Sequence, residues 1–234
     1  MTGYKDALKK AFPYTIPVLT GYLFIGIAFG AMYAERGYSF WWAGLMSLLV
    51  YAGSGQYLGV NFFVPGVSLI QVMVMTLMVN IRHIFYGISL LDKFHKTGKK
   101  RWYMFFSLTD ETYSLLCTTK IPSAVQEDKF LFMIALLNQI YWVVGSLLGG
   151  IAGNFLPFHS TGIEFAMTAL FTVIFVEQWL EKRNRIPEMI GVVVALLGLQ
   201  IFGASRFILP TMLAIVLVLF IGRKKLEGEA EVCQ

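Results

Sequence analysis

The chain has 234 residues, of which 57% are hydrophobic and 14% are charged, and its mean hydropathy is +0.66. Soluble domains contain about 25% charged residues, so this composition excludes an ordinary water-soluble enzyme. The net charge of +5 does not indicate nucleic acid as a partner, because the cations lie in the connections between long apolar runs, as on the cytoplasmic face of a membrane protein. The composition therefore predicts an all-α, polytopic helical membrane protein in a lipid bilayer.

Eight apolar segments are predicted, and about six to eight of them are expected to cross the membrane, since a span takes about 20 residues. Their approximate bounds are 13–33, 41–64, 67–91, 102–119, 130–152, 165–180, 188–203 and 207–222. No long linker separates these segments, which predicts a single membrane domain over 1–226. The remaining residues, 227–234, end the apolar pattern and are predicted to form a disordered tail.

The distribution of Lys and Arg indicates that two segments are unusual. If all eight segments cross and the N-terminus is cytoplasmic, the five cations of 93–101 lie outside, against the positive-inside rule. The conflict disappears if 41–64 and 102–119 are broken or re-entrant helices, because 16 of the 19 Lys and Arg residues then lie inside, with both termini cytoplasmic. Eight complete spans remain the alternative.

A polar, glycine-rich centre lies within segment 41–64, at Gly53, Ser54, Gly55 and Gln56. Each glycine weakens a helix by about 1 kcal/mol relative to alanine, so the backbone is expected to unwind and offer N–H and C=O groups to a ligand. With the hydroxyl and the amide, these four residues suit the carboxylate and ammonium of a zwitterionic substrate. The alternative is close helix packing through Gly55 and Gly59, and we assign the similarly spaced pairs Gly26 and Gly30, and Gly145, Gly149 and Gly153, to packing.

The third segment carries the polar motif Asn80-Ile81-Arg82-His83-Ile84-Phe85-Tyr86-Gly87. An arginine at the centre of a membrane helix costs about 2.5–3.5 kcal/mol on insertion scales, so Arg82 needs a partner or a wet cavity. Helical spacing places Asn80 and His83 on one face and Arg82 and Tyr86 on an adjoining face. Asn80 and Tyr86 are predicted to bind substrate, and His83 to serve a proton relay. Alternatively, Arg82 reaches the interface and His83 makes only a local hydrogen bond.

Two adjacent carboxylates, Asp110 and Glu111, lie near the middle of segment 102–119. Both cannot ionise cheaply in a low-dielectric site, which predicts an ion pair between Arg82 and either of them, with a coupling role or a purely structural one. The three histidines are scattered and no phosphate-binding or dinucleotide motif occurs. No metal, cofactor or catalytic residue is therefore expected.

The segments Tyr51-Ala52-Gly53-Ser54-Gly55-Gln56-Tyr57, Asn80 to Gly87 and Thr109-Asp110-Glu111-Thr112-Tyr113 resemble, in order and spacing, three signatures of the AzlC-type large subunit of branched-chain amino acid exporters. The resemblance covers about residues 10–225. It implies efflux of leucine, isoleucine, valine and their analogues across the bacterial inner membrane, a small AzlD-type membrane subunit as partner, and coupling to protons.

The leading hypothesis is a secondary exporter in which the break at 53–56 holds the amino acid's polar end. Arg82, His83, Asp110 and Glu111 are then expected to couple protonation to a conformational change. One alternative is an intramembrane hydrolase with Ser54 and His83 as a dyad. Another is a passive channel or a non-transporting assembly subunit.

Overall fold

A computed structural model describes residues 3–60, 62, 67–95, 97–122, 125–155, 172, 175–176, 179–180, 185–203, 210–211, 213–215 and 217–222. Regular structure within these ranges is helical throughout. The first nine α-helices are α1 (Tyr4–Glu35), α2 (Phe40–Leu49), α3 (Gly53–Val60), α4 (Leu69–Asn80), α5 (Arg82–Ser89), α6 (Leu91–His95), α7 (Arg101–Phe106), α8 (Asp110–Thr118) and α9 (Glu127–Phe155). A further helix spans Arg185–Phe202.

Four helices in the described part of the chain are long and apolar enough to cross a membrane: Tyr4–Glu35, Leu69–Ser89, Glu127–Phe155 and Arg185–Phe202. This arrangement confirms the predicted all-α membrane fold. Segments 165–180 and 207–222 lie partly outside the described residues, and the tail 227–234 lies entirely outside them.

The chain divides into two compact units, residues 1–167 and 168–234. All of the predicted site residues belong to the first unit. The assignment of 1–226 to a single domain stays a prediction.

The central element of the first unit is the pair of long helices α1 and α9, which approach closely where both carry glycine. A Cβ atom added to Gly26 would lie 3.1 Å from the Cα of Gly145, and one added to Gly30 would collide with the backbone at Ser146. A Cβ on Gly149 would likewise enter the backbone of α1. The structure thus confirms that these glycines serve helix packing.

Segments 41–64 and 102–119 are both interrupted, as predicted. The expected unwinding at 53–56 is wrong, however, because Gly53 to Gln56 form the first turn of α3 and the interruption lies just before them. In the first, α2 ends at Leu49 and α3 begins at Gly53, and Tyr51 between them has a left-handed φ of 44°. In the second, α7 ends at Phe106 and α8 begins at Asp110. Whether either segment is re-entrant stays a prediction.

The start of α8 follows from its sequence. Thr109 is the N-cap, and its hydroxyl accepts a hydrogen bond from the backbone N–H of Thr112, as N-cap residues do. Asp110 and Glu111 consequently occupy the first turn, where the helix dipole favours negative charge. The interruption therefore places both carboxylates at a helix N-terminus inside an apolar segment.

We predict that Gly30→Ala lowers the stability of the protein, because its methyl group has no space against the α9 backbone. Overpacking of this kind costs roughly 1–3 kcal/mol, which thermal unfolding in detergent would detect. Gly21→Ala is the matched control, since it lies in the same helix and its Cβ would meet no atom within 4 Å. Equal losses in the two variants would contradict the packing assignment.

Candidate functional site

Arg82 is the centre of the candidate site. Its Nη1 lies 2.6 Å from Asp110 Oδ2, and its Nη2 donates a hydrogen bond to Ser54 Oγ at 2.6 Å. The side chains of Arg82 and Asp110 are 28% and 23% exposed. The predicted ion pair is therefore formed, with Asp110 rather than Glu111 as the partner, and the arginine links α3, α5 and α8.

Tyr86 lies one turn beyond Arg82 and completes the contacts of the same carboxylate. Its hydroxyl donates to Asp110 Oδ1 at 2.5 Å, and its ring stacks on Tyr113 with centroids 4.4 Å apart. The shared carboxylate confirms that Arg82 and Tyr86 face the same side. Both oxygens of Asp110 are thus held by α5.

Asn80 is the last residue of α4, next to the interruption between α4 and α5. Its Nδ2 donates to the carbonyl of Thr76 at 2.9 Å, and a Cβ added to Gly55 would lie 3.0 Å from that nitrogen. Two buried polar atoms at this place lack a partner: Asn80 Oδ1 and Arg82 Nε. One acceptor and one donor are therefore unsatisfied beside the glycine-rich segment.

His83 makes the local contact that was the alternative to a relay. Its Nδ1 lies 3.0 Å from the Asn80 carbonyl oxygen, and its ring meets the edge of Tyr86 at 5.8 Å. Ser54 accepts from Arg82 instead, so this conformation does not pair Ser54 with His83. The relay function of His83 stays a prediction.

Gln56 points away from Arg82, toward α9. It is fully buried, its Oε1 accepts from Trp142 Nε1 at 2.8 Å, and its Nε2 donates to Ser47 Oγ at 3.0 Å. A Cβ on Gly53 would also meet the Trp142 ring, at 3.3 Å. These contacts anchor the break to α9, and substrate binding by Gly53 and Gln56 stays a prediction.

Glu111 has a separate environment. Its Oε2 lies 2.7 Å from the hydroxyl of Tyr22, which also lies 2.6 Å from Thr109 Oγ1. Tyr22 comes from α1 and was missed by sequence reasoning, since one tyrosine in a long apolar run carries no functional signal. The two adjacent carboxylates therefore face different partners.

Several apolar helices long enough to span a membrane, with interrupted helices that meet at an ion pair, indicate a multi-pass membrane protein with a polar site of the kind found in carriers. The chain belongs to the AzlC family, whose model, described as AzlC protein, matches residues 17–156. It is 43% identical to the branched-chain amino acid transport protein AzlC of Bacillus subtilis over 97% of this chain and 89% of that protein.

Two further relatives are membrane proteins. An uncharacterized membrane protein of Haemophilus influenzae is 41% identical over 97% of this chain and 93% of its own length. The inner membrane protein YgaZ of Escherichia coli is 25% identical over 90% of this chain and 83% of its own length. No solved structure matches the chain.

A double-mutant cycle of Arg82→Gln and Asp110→Asn should give a coupling energy of about 1–3 kcal/mol, between the values for exposed and buried pairs. Each single variant leaves one partner unpaired. The two single losses in the thermal unfolding midpoint should therefore add up to more than the loss in the double variant. The control is the Lys100–Asp128 pair, which has the same 2.6 Å N···O distance and similar side-chain exposure, 23% and 33%, but lies outside the site. Equal coupling in the two cycles would show that the added bonds to Ser54 and Tyr86 do not strengthen the Arg82–Asp110 pair.

Proposed function

We propose that the chain is the large subunit of a secondary exporter of branched-chain amino acids: leucine, isoleucine, valine and their analogues. It lies in the bacterial inner membrane with both termini cytoplasmic, works with a small AzlD-type membrane subunit, and exchanges protons for amino acid as an antiporter. The Bacillus relative, whose name carries branched-chain amino acid transport, supports this substrate class.

One observation carries the proposal most directly: an unpaired acceptor, Asn80 Oδ1, lies beside Gly55, and an unpaired donor, Nε of Arg82, belongs to the side chain that bonds Ser54. Gly55 and Ser54 both lie in the first turn of α3. An amino acid has complementary groups, an ammonium that donates and a carboxylate that accepts. Ser54 accepts from Arg82, which leaves its own hydroxyl hydrogen for the carboxylate. The polar end of the substrate therefore binds at 53–56, and Tyr86 and Asp110 face its ammonium.

Apolar side chains of the neighbouring segments provide the wall for the aliphatic part of the substrate. One methylene in such a pocket is worth about 1–3 kcal/mol, so the three branched-chain amino acids are accepted together.

Proton coupling uses the link that Arg82 makes between two interrupted helices. An ionised Asp110 holds the guanidinium, and the same guanidinium holds Ser54 in the substrate segment. Protonation of the carboxyl group removes its charge and weakens this hold, which can tip two conformations that differ by a few kcal/mol. His83 and Glu111 belong to the same coupling group.

The experiment that tests the function is efflux of preloaded labelled leucine, isoleucine and valine from cells that lack their own exporters. We expect efflux that depends on the small subunit and falls when an uncoupler is added. Efflux that ignores the uncoupler would instead indicate a passive channel, and no efflux from a well-inserted complex would contradict the proposed substrate class. Labelling of Ser54 by a fluorophosphonate would indicate the hydrolase alternative.

Asp110→Asn and Glu111→Gln should each flatten the pH dependence of efflux and leave membrane insertion intact, because each removes a group that can bind a proton. The measurement is the initial efflux rate across a pH series at constant expression. Asp92→Asn is the control, since Asp92 is an exposed carboxylate in α6 outside the site. An unchanged pH profile in both site variants would exclude these carboxylates from coupling.

A further inference from the structure

A continuous chain of hydrogen-bonded polar groups leads from Glu111 to helix α9. Tyr22 OH lies 2.7 Å from Glu111 Oε2 and 2.6 Å from Thr109 Oγ1. Thr109 Oγ1 lies 2.8 Å from Thr112 Oγ1, which accepts from Asn138 Nδ2 at 3.0 Å. Apart from Glu111, every side chain in this hydrogen-bond chain is buried.

The direction of these bonds follows from counting hydrogens. An ionised Glu111 only accepts, and the Asn138 NH₂ group only donates. Each hydroxyl carries one hydrogen, so Tyr22 must use its hydrogen for the carboxylate, and Thr109 must then donate to Tyr22. Thr112 in turn donates to Thr109. Each hydrogen bond then has one hydrogen, and every donor lies on the α9 side of its acceptor, so all the bonds are directed toward the Glu111 carboxylate.

A neutral Glu111 permits the opposite direction. Its O–H can donate to Tyr22, which then donates to Thr109, which donates to Thr112. Thr109 can still accept from the Thr112 backbone N–H, and Thr112 can still accept from Asn138. In this direction, the hydroxyl hydrogen of Thr112 is the one donor of these groups that has no acceptor among them. It needs another acceptor nearby.

The structure holds such an acceptor in an unusual position. The hydroxyl of Tyr51 has no hydrogen-bond partner, although the side chain is only 2% exposed and the hydroxyls of Thr112 and Tyr22 lie near it. Asn138 Oδ1, on the amide that contacts Thr112, also lacks a partner. An unsatisfied buried polar atom is destabilising, so the reversed hydrogen-bond direction, in which Thr112 donates to Tyr51, removes a penalty at Tyr51.

Tyr51 is also the residue with left-handed φ at the α2–α3 break, two residues before Gly53. Resting on the proposed function for the part that Glu111 takes in coupling, we propose that Tyr22, Thr109, Thr112 and Tyr51 are positioning residues. They form a reversible hydrogen-bond chain that transmits the charge state of Glu111 to the break that carries the substrate site. Each hydroxyl only rotates, and the one proton gained or lost is that of the carboxyl group.

Within the described residues, five other charged or titratable groups face Glu111. They are Asp110 and Arg82, Tyr86, Tyr51 and Tyr22. Asp110 and Arg82 neutralise each other in their ion pair. The direction of the chain therefore follows the charge of Glu111 rather than that of its neighbour.

The test is amide hydrogen–deuterium exchange at 50–56 in the full chain in lipid vesicles, measured at several pH values and expressed as protection factors. We expect protection at this break to change by tenfold or more across the titration of Glu111. The dependence should vanish in Glu111→Gln and in Thr112→Val, although Thr112 does not touch the carboxylate. Thr112→Ser keeps the hydroxyl and should restore it.

Tyr57→Phe is the matched control for Tyr22→Phe. Tyr57 is fully buried, and its hydroxyl donates to the Ile25 carbonyl at 2.5 Å. It is not part of the hydrogen-bond chain. Loss of the pH dependence in Tyr22→Phe but not in Tyr57→Phe supports the proposal, and unchanged dependence in both Tyr22→Phe and Thr112→Val overturns it.

The exchange experiment needs no substrate. Absence of efflux together with pH-dependent protection at 50–56 would contradict the proposed function but would support the hydrogen-bond chain. Thermal unfolding of each variant identifies any that fail to fold. If Thr112→Val or Tyr22→Phe does not fold, the other of the two decides the outcome: unchanged pH dependence in it overturns the proposal.

Discussion

The guanidinium of Arg82, placed within an apolar segment, is the constraint on which the site depends. A cation in a bilayer requires compensation, and Asp110 supplies it at 2.6 Å. Because that carboxylate belongs to a different segment, the ion pair fixes α5 against the start of α8, and the bond to Ser54 adds α3. Three short helices that have little length to pack on their own are thus held together by one charge.

The interrupted helices are held on a rigid frame. Close approach of α1 and α9 through Gly26, Gly30 and Gly145 provides the frame, and the bond between Gln56 and Trp142 attaches the break to it. A helix interruption leaves backbone groups without partners, which lipid cannot satisfy. Placing the interruptions beside α9 therefore surrounds them with protein, while the ion pair stays partly exposed.

The charge distribution was enough to predict that two segments are interrupted and that Arg82 forms an ion pair, because a cation within an apolar segment needs a carboxylate partner. The glycines misplaced the first interruption, which lies just before Gly53 rather than at 53–56. The choice between Asp110 and Glu111 was beyond the sequence: adjacent helical residues point about 100° apart, and the rotation of α8 decides which one faces Arg82. The direction of Gln56 was hidden for the same reason. Tyr22 and Tyr51 gave no signal, since a tyrosine in an apolar run is usually a packing residue.

The different partners of the two carboxylates bear on how a carrier would use them. Asp110 contacts a permanent cation, Arg82, whereas Glu111 accepts a hydrogen bond from the neutral hydroxyl of Tyr22 and forms no ion pair among the described residues. Within the proposed exporter, we infer that Glu111 is the carboxylate that exchanges its proton first. Asp110 then responds when the substrate carboxylate approaches Arg82, because the two carboxylates share a single positive charge. Within the proposed exporter, proton binding and amino acid binding thus compete for the charge of Arg82, and such competition is a physical requirement for antiport.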